Sequence, residues 1–250
     1  MSHHIVKAEN VAYTYPDGNE ALKNISFLIT HGESVAVVGA NGAGKSTLLM
    51  HLNGHFLPGG GSLQVGDFPL TKDTVQNIRR SVGMVFQDSD DQLFMPTVFD
   101  DVAFGPLNMG LPADVVNERV RETLETVGVL HLVNRPIHRL SGGEKRSVAI
   151  ATVLSMSPDI LVMDEPTSNL DPKARRRLIE LLRSFKHTKI IATHDLDMVL
   201  DLCERTIVIR EGQVVADGRS IEILNNETIL SESNLEKPLR FQGCPVCGVR

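Results

Sequence analysis

The chain has 250 residues, 42% hydrophobic and 22% charged, ordinary values for a globular protein that exclude a disordered chain, a collagen-like repeat and a coiled coil. That length accommodates one core with an appended subdomain. Asp and Glu number 31 against 25 Lys and Arg, a formal charge of −6, which argues against a dedicated nucleic-acid binder. With Phe 9, Tyr 2 and Trp 0, stacking surfaces for bases or sugars are few. No apolar run approaches the roughly 20 residues of a bilayer span. The opening MSHHIVKAEN has no apolar signal region, and Cys203, Cys244 and Cys247 are too few for a disulfide framework. The expectation is a soluble protein, cytosolic or peripheral to a membrane.

The first segment, about 1–34, reads as short strands around the turn Pro16-Asp17-Gly18-Asn19, with Ile25–Ile29 alternating as a strand. Ser34-Val35-Ala36-Val37-Val38 is a continuous apolar run between glycines, which predicts a strand buried on both faces of a parallel sheet. A glycine-rich loop and a helix follow, and Pro58-Gly59-Gly60-Gly61 is expected to end that helix. Ser81–Phe86 predicts another strand. Between about 88 and 158 the pattern turns helical: Val116, Val120, Leu124 and Val127 share one face, and Glu144–Met156 is dense enough in apolar residues for a mostly buried helix. Strands resume at Ile160–Met163, Ile190–Ala192 and Thr206–Ile209, and Glu211-Gly212 turns a hairpin into Val214-Val215-Ala216. Lys173, Arg175, Arg176 and Arg177 form a solvated helix face, with Leu178, Leu181, Leu182 and Phe185 facing inward. Strands alternating with helices make the chain α/β.

Gly39-Ala40-Asn41-Gly42-Ala43-Gly44-Lys45-Ser46 matches Gly-x4-Gly-Lys-Ser, and Thr47 follows. A triphosphate concentrates several negative charges in a small volume, and successive backbone N–H groups wrap it only where side chains stay clear. The helix starting here adds the positive end of its dipole, Lys45 a point charge for the outer phosphates, and Ser46 a hydroxyl for Mg2+. Ile160-Leu161-Val162-Met163-Asp164-Glu165 is an apolar strand ending in two carboxylates. Asp164 suits the shell of a hard cation, and Glu165 can orient and deprotonate a water aimed at the γ-phosphate. Leu140-Ser141-Gly142-Gly143-Glu144 opens the buried helix, with Ser141 as N-cap and Glu144 three residues on, a capping-box pattern.

Phosphate loop, Gln87 after a strand, Leu-Ser-Gly-Gly-Glu, Asp164-Glu165, Leu170-Asp171 and His194 come in one order. Over about residues 5–230 the chain closely resembles the ATP-binding subunit of ABC transporters. The resemblance implies a P-loop NTPase with a RecA-like parallel sheet core, an N-terminal antiparallel β subdomain and a helical insertion at about 88–158. Residues 1–230 would be the ATP-binding domain and 231–250 a tail. It implies ATP and Mg2+ as ligands. Tyr15 resembles the aromatic that stacks on adenine, with Tyr13 as rival. Gln87 resembles the residue that contacts Mg2+ and the membrane partner, and Ser141, Gly142 and Gly143 resemble the motif that clamps the γ-phosphate of ATP held by a second subunit. Asp171 resembles the loop joining the two sites, and His194 the histidine that reads the γ-phosphate. Gln is usual where Glu144 stands; in the family that side chain lies toward the ribose.

The resemblance also implies partners: a second ATPase subunit, a homodimer being sufficient, a transmembrane coupling protein and a substrate-binding membrane component, but no nucleic acid. The chain would sit peripherally on the cytoplasmic face of the cell membrane. The stretch Phe86–Phe94, with Thr97-Val98 and Asp101–Pro106, resembles the energy-coupling-factor type of importer, nearest to the cobalt or nickel importer ATPase; a vitamin importer is the alternative. Chromosome-maintenance ATPases insert long coiled coils where this chain has none, and ribosome-binding relatives carry two cassettes. His3-His4 reads as solvated, and Cys244-Pro-Val-Cys247 as two reduced thiols that supply only half of a tetrahedral zinc site.

Overall fold

The computed structural model describes residues 6–242. Strands β1 (Val6–Thr14), β2 (Glu20–Ile29) and β3 (Ser34–Val38) lead into helix α1 (Lys45–Leu52), strands β4 (Gly60–Val65) and β5 (Phe68–Pro69), and helix α2 (Val75–Ser81). Next come β6 (Val82–Val85), α3 (Val98–Asn108), α4 (Ala113–Thr126), α5 (Gly142–Leu154), β7 (Ile160–Asp164) and α6 (Pro172–Ser184). Then follow β8 (Thr188–Ala192), α7 (Leu196–Leu202), β9 (Arg205–Arg210), β10 (Gln213–Arg219), α8 (Ser220–Ile223) and α9 (Glu227–Glu232). The described residues pack as two compact units, 6–79 with 187–242, and 80–186.

In the first unit, β2, β1, β4 and β5 lie side by side, antiparallel where paired. The turn at Pro16–Asn19 joins β1 to β2 as predicted, closed by Gly18 N–H donating to Tyr15 O at 2.9 Å. The second set of strands is β10, β9, β3 and β8, with β3 parallel to β8 and β9, and β10 antiparallel to β9. Val35–Val38 of β3 are fully buried, as a run without polar alternation requires. Glu211 (φ 49°) and Gly212 (φ 80°) make the two-residue hairpin turn, both in the left-handed region that matches strand twist. A bulge interrupts the β10 register between Val214 and Ala216, and Arg205 on β9 grips Asp217 on β10 through two 2.7 Å hydrogen bonds.

One expectation for this unit is corrected. Helix α1 stops at Leu52, before the glycine run, and Gly60-Gly61 begin β4 instead. A Cβ on Gly61 would stand 2.2 Å from Asn10 O, so this glycine allows β4 to approach the irregular part of β1. Helix α2 has only Ile78 buried, so it carries no apolar periodicity to read. Within the segment 231–250, Leu239 and Arg240 N–H donate to the Asp197 carboxylate on α7, and Arg240 also binds Asp201.

In the second unit β6 and β7 pair in parallel, with Val82 opposite Ile160 and Val85 opposite Met163, every residue of both buried. Beside them α3, α4 and α5 share an apolar core that includes Val98, Val102, Val116, Val120, Leu124, Val148 and Ala149. Val116, Val120 and Leu124 face it as their spacing predicts, and Val127, just past the end of α4, packs against it partly buried. The unit takes in the β6–β7 pair and α6 as well as these three helices. On α6 the buried residues are Leu178, Ile179 and Leu182; Leu181 is half-buried and Phe185 lies beyond the helix end, a one-residue rotation from the predicted face. Among the described residues no helix is long and apolar enough to cross a membrane.

Candidate nucleotide-binding site

In the first unit, β3 delivers the chain to the loop at Gly39 and α1 departs from Gly44. Two glycines are required by close approach: a Cβ on Gly39 would stand 2.2 Å from Ile209 O, and one on Gly44, at φ 107°, 2.6 Å from Ala21 O. Gly42, at φ 77°, faces open space, so the loop's outer side stays clear. No side chain caps α1, which leaves its first N–H groups to an external acceptor and suits an anion. Lys45 is buried and lies back along the loop, its Nζ donating to Gly39 O at 2.8 Å and Ala40 O at 3.0 Å. Asn41 and Ser46 are exposed, and Ala43 and Thr47 are buried.

Both candidate aromatics stand near this loop. Tyr15 Oη lies 3.0 Å from Thr47 Oγ1. Tyr13 stacks on Phe56 with ring centroids 5.0 Å apart and meets His51 edge-on at 4.8 Å. One face of Tyr13 is therefore taken by protein. His51, which sequence reasoning passed over, donates from Nδ1 to Thr47 O at 2.7 Å, and burial lowers its pKa. His194 is exposed at the end of β8, whose Ala192 is the register partner of Val37 on β3. The loop and His194 thus leave neighbouring parallel strands at the same end.

The second unit gathers Gln87, Ser141, Gly142, Gly143, Glu144, Asp164, Glu165 and Asp171. Strands β6 and β7 end together, placing Gln87, exposed, and Asp164 and Glu165, both buried, at one edge. Glu165 has φ 44°, a left-handed conformation rare for a residue with a side chain. Beneath this edge lies a residue that sequence reasoning missed. Arg146, 3% exposed, donates from Nε to Pro166 O (3.1 Å), from Nη1 to Phe86 O and to Gln87 O (3.3 Å), and from Nη2 to Asp164 O (2.9 Å) and Glu165 O (2.8 Å). Burial pulls its pKa down to about 10, opposed by the charges of Asp164, Glu165 and Asp88, so it stays a cation at neutral pH. Arg146 follows Glu144 and Lys145 at the polar start of α5, so nothing in its neighbours sets it apart, and only its burial does.

Ser141 caps α5, and the capping box is complete: Glu144 Oε2 accepts from Ser141 N at 2.7 Å and from Ser141 Oγ at 2.9 Å. Hydrogen bonds from Ser141, with Arg135 Nη1 at 3.5 Å from Glu144 Oε1, hold the Glu144 carboxyl below its ordinary pKa. Asp171 caps α6, accepting from Lys173 N (2.8 Å) and Ala174 N (2.9 Å). Gln92, also missed, fixes the chain after β6: its Nε2 donates to Ala149 O and Thr152 Oγ1, both at 2.7 Å, and its Oε1 accepts from Phe86 N at 3.2 Å. Cys203 is buried, with its thiol pushed up to about 12 by desolvation. His3, His4, Cys244 and Cys247 lie outside the described residues.

The sequence profile of the ABC transporter family matches residues 22–168. The chain belongs to the ABC transporter family. A Geobacter sulfurreducens protein whose name gives it the ATP-binding role in an ABC transporter is 66% identical over 99% of this chain and 100% of its own. An energy-coupling factor transporter ATP-binding protein of Methanospirillum hungatei is 44% identical over 94% of this chain and 87% of its own. Among solved structures, cbiO1 from Clostridium perfringens, part of the ABC transporter complex cbiONQ, superposes with a TM-score of 0.80 at 40% identity, covering 93% of this chain and 95% of that one. The fold is that of an ABC ATPase, and the chain is an ATPase subunit of an energy-coupling-factor type ABC transporter, its hydrolysis of ATP coupled to transport.

Proposed function

We propose that this subunit powers the import of cobalt or nickel ions, working in pairs on the cytoplasmic face of the membrane with a transmembrane coupling protein and a substrate-binding membrane component. The observation that carries the nucleotide chemistry is the glycine-walled loop at the uncapped head of α1, with Lys45 laid along it. In this reading Gly39 to Thr47 wrap the phosphates, and Tyr15, rather than Tyr13, stacks on adenine, since Phe56 already covers Tyr13. Glu165 is the base that takes a proton from the attacking water, and His194 reads the γ-phosphate. Ser141, Gly142 and Gly143 clamp the ATP of the second copy, and Asp171 links the paired sites. Ser46, Gln87 and Asp164 offer hydroxyl, carboxamide and carboxylate oxygens, a hard donor set that fits Mg2+. When bound, Mg2+ neutralises phosphate charge. Among the described residues no three His, Cys, Asp or Glu side chains gather as a metal site.

For the membrane partner, the second unit presents Phe94 (64% exposed), Phe104, Leu107 and Met109, with the Phe94 and Phe104 rings edge-to-face at 4.9 Å. This is apolar surface of the kind that seats another protein. Buried Asp101 shapes it by accepting from Phe94 N and Met95 N, both at 3.2 Å. The likeness to cbiO1, part of an ABC transporter complex, supports the transport reading.

Two measurements test the proposal. Glu165→Gln is expected to keep ATP binding and trap the closed pair while turnover falls about 100- to 10,000-fold, the span of general-base effects; wild-type turnover would remove Glu165 from that role. A pull-down from detergent-solubilised membranes, read by mass spectrometry, is expected to recover a transmembrane coupling protein and a small metal-importing membrane component. A vitamin-binding component would move the solute class, and recovery of soluble proteins alone would overturn the transport assignment.

A further inference from the structure

Arg146 uses every donor it has. A guanidinium carries five N–H groups, and here five backbone carbonyls receive them, two from the exit of β6 (Phe86, Gln87) and three from the exit of β7 (Asp164, Glu165, Pro166). Not one of these bonds goes to a carboxylate, so the side chain fixes the course of the main chain. Glu165 is one of the residues it holds, and its φ of 44° persists only where surroundings over-determine it. Two of the hub's bonds, to Asp164 O and Glu165 O, bracket that residue's own peptide unit. Two others end on the peptides that launch Gln87. Helix α5 carries Ser141 at its first turn and Arg146 one turn further on, so the element that presents the serine-glycine motif also grips both strand exits.

We propose that Arg146 is a positioning residue for hydrolysis: it acts through the backbone to hold the Glu165 carboxylate and the Gln87 carboxamide in register. Lysine keeps the charge but has three donors on a rotating ammonium and cannot span five carbonyls. The geometry at Glu165 relaxes without the hub, while the phosphate loop, which lies in the other unit, keeps its own bonds. The inference rests on the reading of Glu165 as the base, which the single Glu165→Gln substitution tests separately.

The experiment measures ATPase kinetics, thermal unfolding and fluorescent-nucleotide affinity for the full chain carrying Arg146→Lys, alone and combined with Glu165→Gln. A misplacement of about 1 Å costs on the order of 100-fold in rate. The expected result is a kcat lowered about 10- to 100-fold with KM for ATP and nucleotide affinity unchanged, and no further loss when the substitution is added to Glu165→Gln, because two residues acting as a unit are not additive. A folded Arg146→Lys with wild-type kcat, or one that lowers kcat by the same factor in the Glu165→Gln background, would overturn the proposal. If Arg146→Lys does not fold, Arg146→Gln is read the same way. Failure of both to fold would also overturn it, since the residue would then serve the fold and not the placement of the base.

Discussion

Replacing Glu144 by Gln should tighten the proposed ATP-driven pairing of two subunits. In the single chain the Ser141 hydroxyl donates to Glu144 Oε2 at 2.9 Å, and the same oxygen takes the Ser141 N–H at 2.7 Å. For Ser141 to turn toward a γ-phosphate, the bond from its hydroxyl must break. A hydrogen bond to a charged group contributes about 1.5–3 kcal/mol, and partial exposure discounts that to about 1 kcal/mol here. An amide oxygen holds the hydroxyl roughly half as strongly, easing release by about 0.5 kcal/mol at each site. Over the two sites of a pair this is about 1 kcal/mol, roughly fivefold in the association constant. Sedimentation of the Glu165→Gln protein with ATP, with and without Glu144→Gln, measures it; unchanged or weaker pairing refutes the competition. The same substitution has an opposite effect on the lone subunit. The Glu144 pKa is depressed in the fold, so its stabilisation is present above the ordinary carboxyl pKa and is lost as pH falls through the lowered value. Glu144→Gln should flatten that acid limb.

Gly44→Ala puts a Cβ 2.6 Å from Ala21 O at φ 107°; a loss of about 1–3 kcal/mol in denaturant unfolding is expected, with failure of fluorescent ATP to bind, and normal binding would contradict the close-approach argument. Leu124→Ala empties a fully buried position among α3, α4 and α5 and should cost about 2–5 kcal/mol in urea unfolding. A cost under about 1 kcal/mol would mean that this core collapses around the gap.

The strands were legible where composition alone decides them. β3, β6 and β7 are short, largely apolar runs, and β8 and β9 show through their apolar stretches at Ile190–Ala192 and Ile207–Ile209, although Lys189, Arg205 and Arg210 belong to the same strands. The phosphate loop was legible because its glycines answer to contacts and torsions that other residues meet poorly. α2 was not, since a helix with one buried side chain has no periodicity. Arg146 escaped for a different reason. Its five acceptors are backbone carbonyls, and backbone carbonyls are invisible to side-chain motifs. The inward face of α6 was misread by one position because Phe185, apolar and helical in spacing, falls after the helix has ended. Asp171 was legible as part of a motif, but its visible work is capping α6, which residue order also allowed.

The bulged edge of β10 bears on how two copies can meet. A regular strand edge offers a row of N–H and C=O groups to any similar strand, and such unions are slow to part and grow into aggregates. Here the register breaks between Val214 and Ala216, and the Arg205–Asp217 clasp sets charge along the same border. This border is a poor template for another chain, so the protein is spared one lasting attachment. Under the proposed function, pairing is then left to contacts that ATP makes and its hydrolysis removes, which is what a reversible motor part requires.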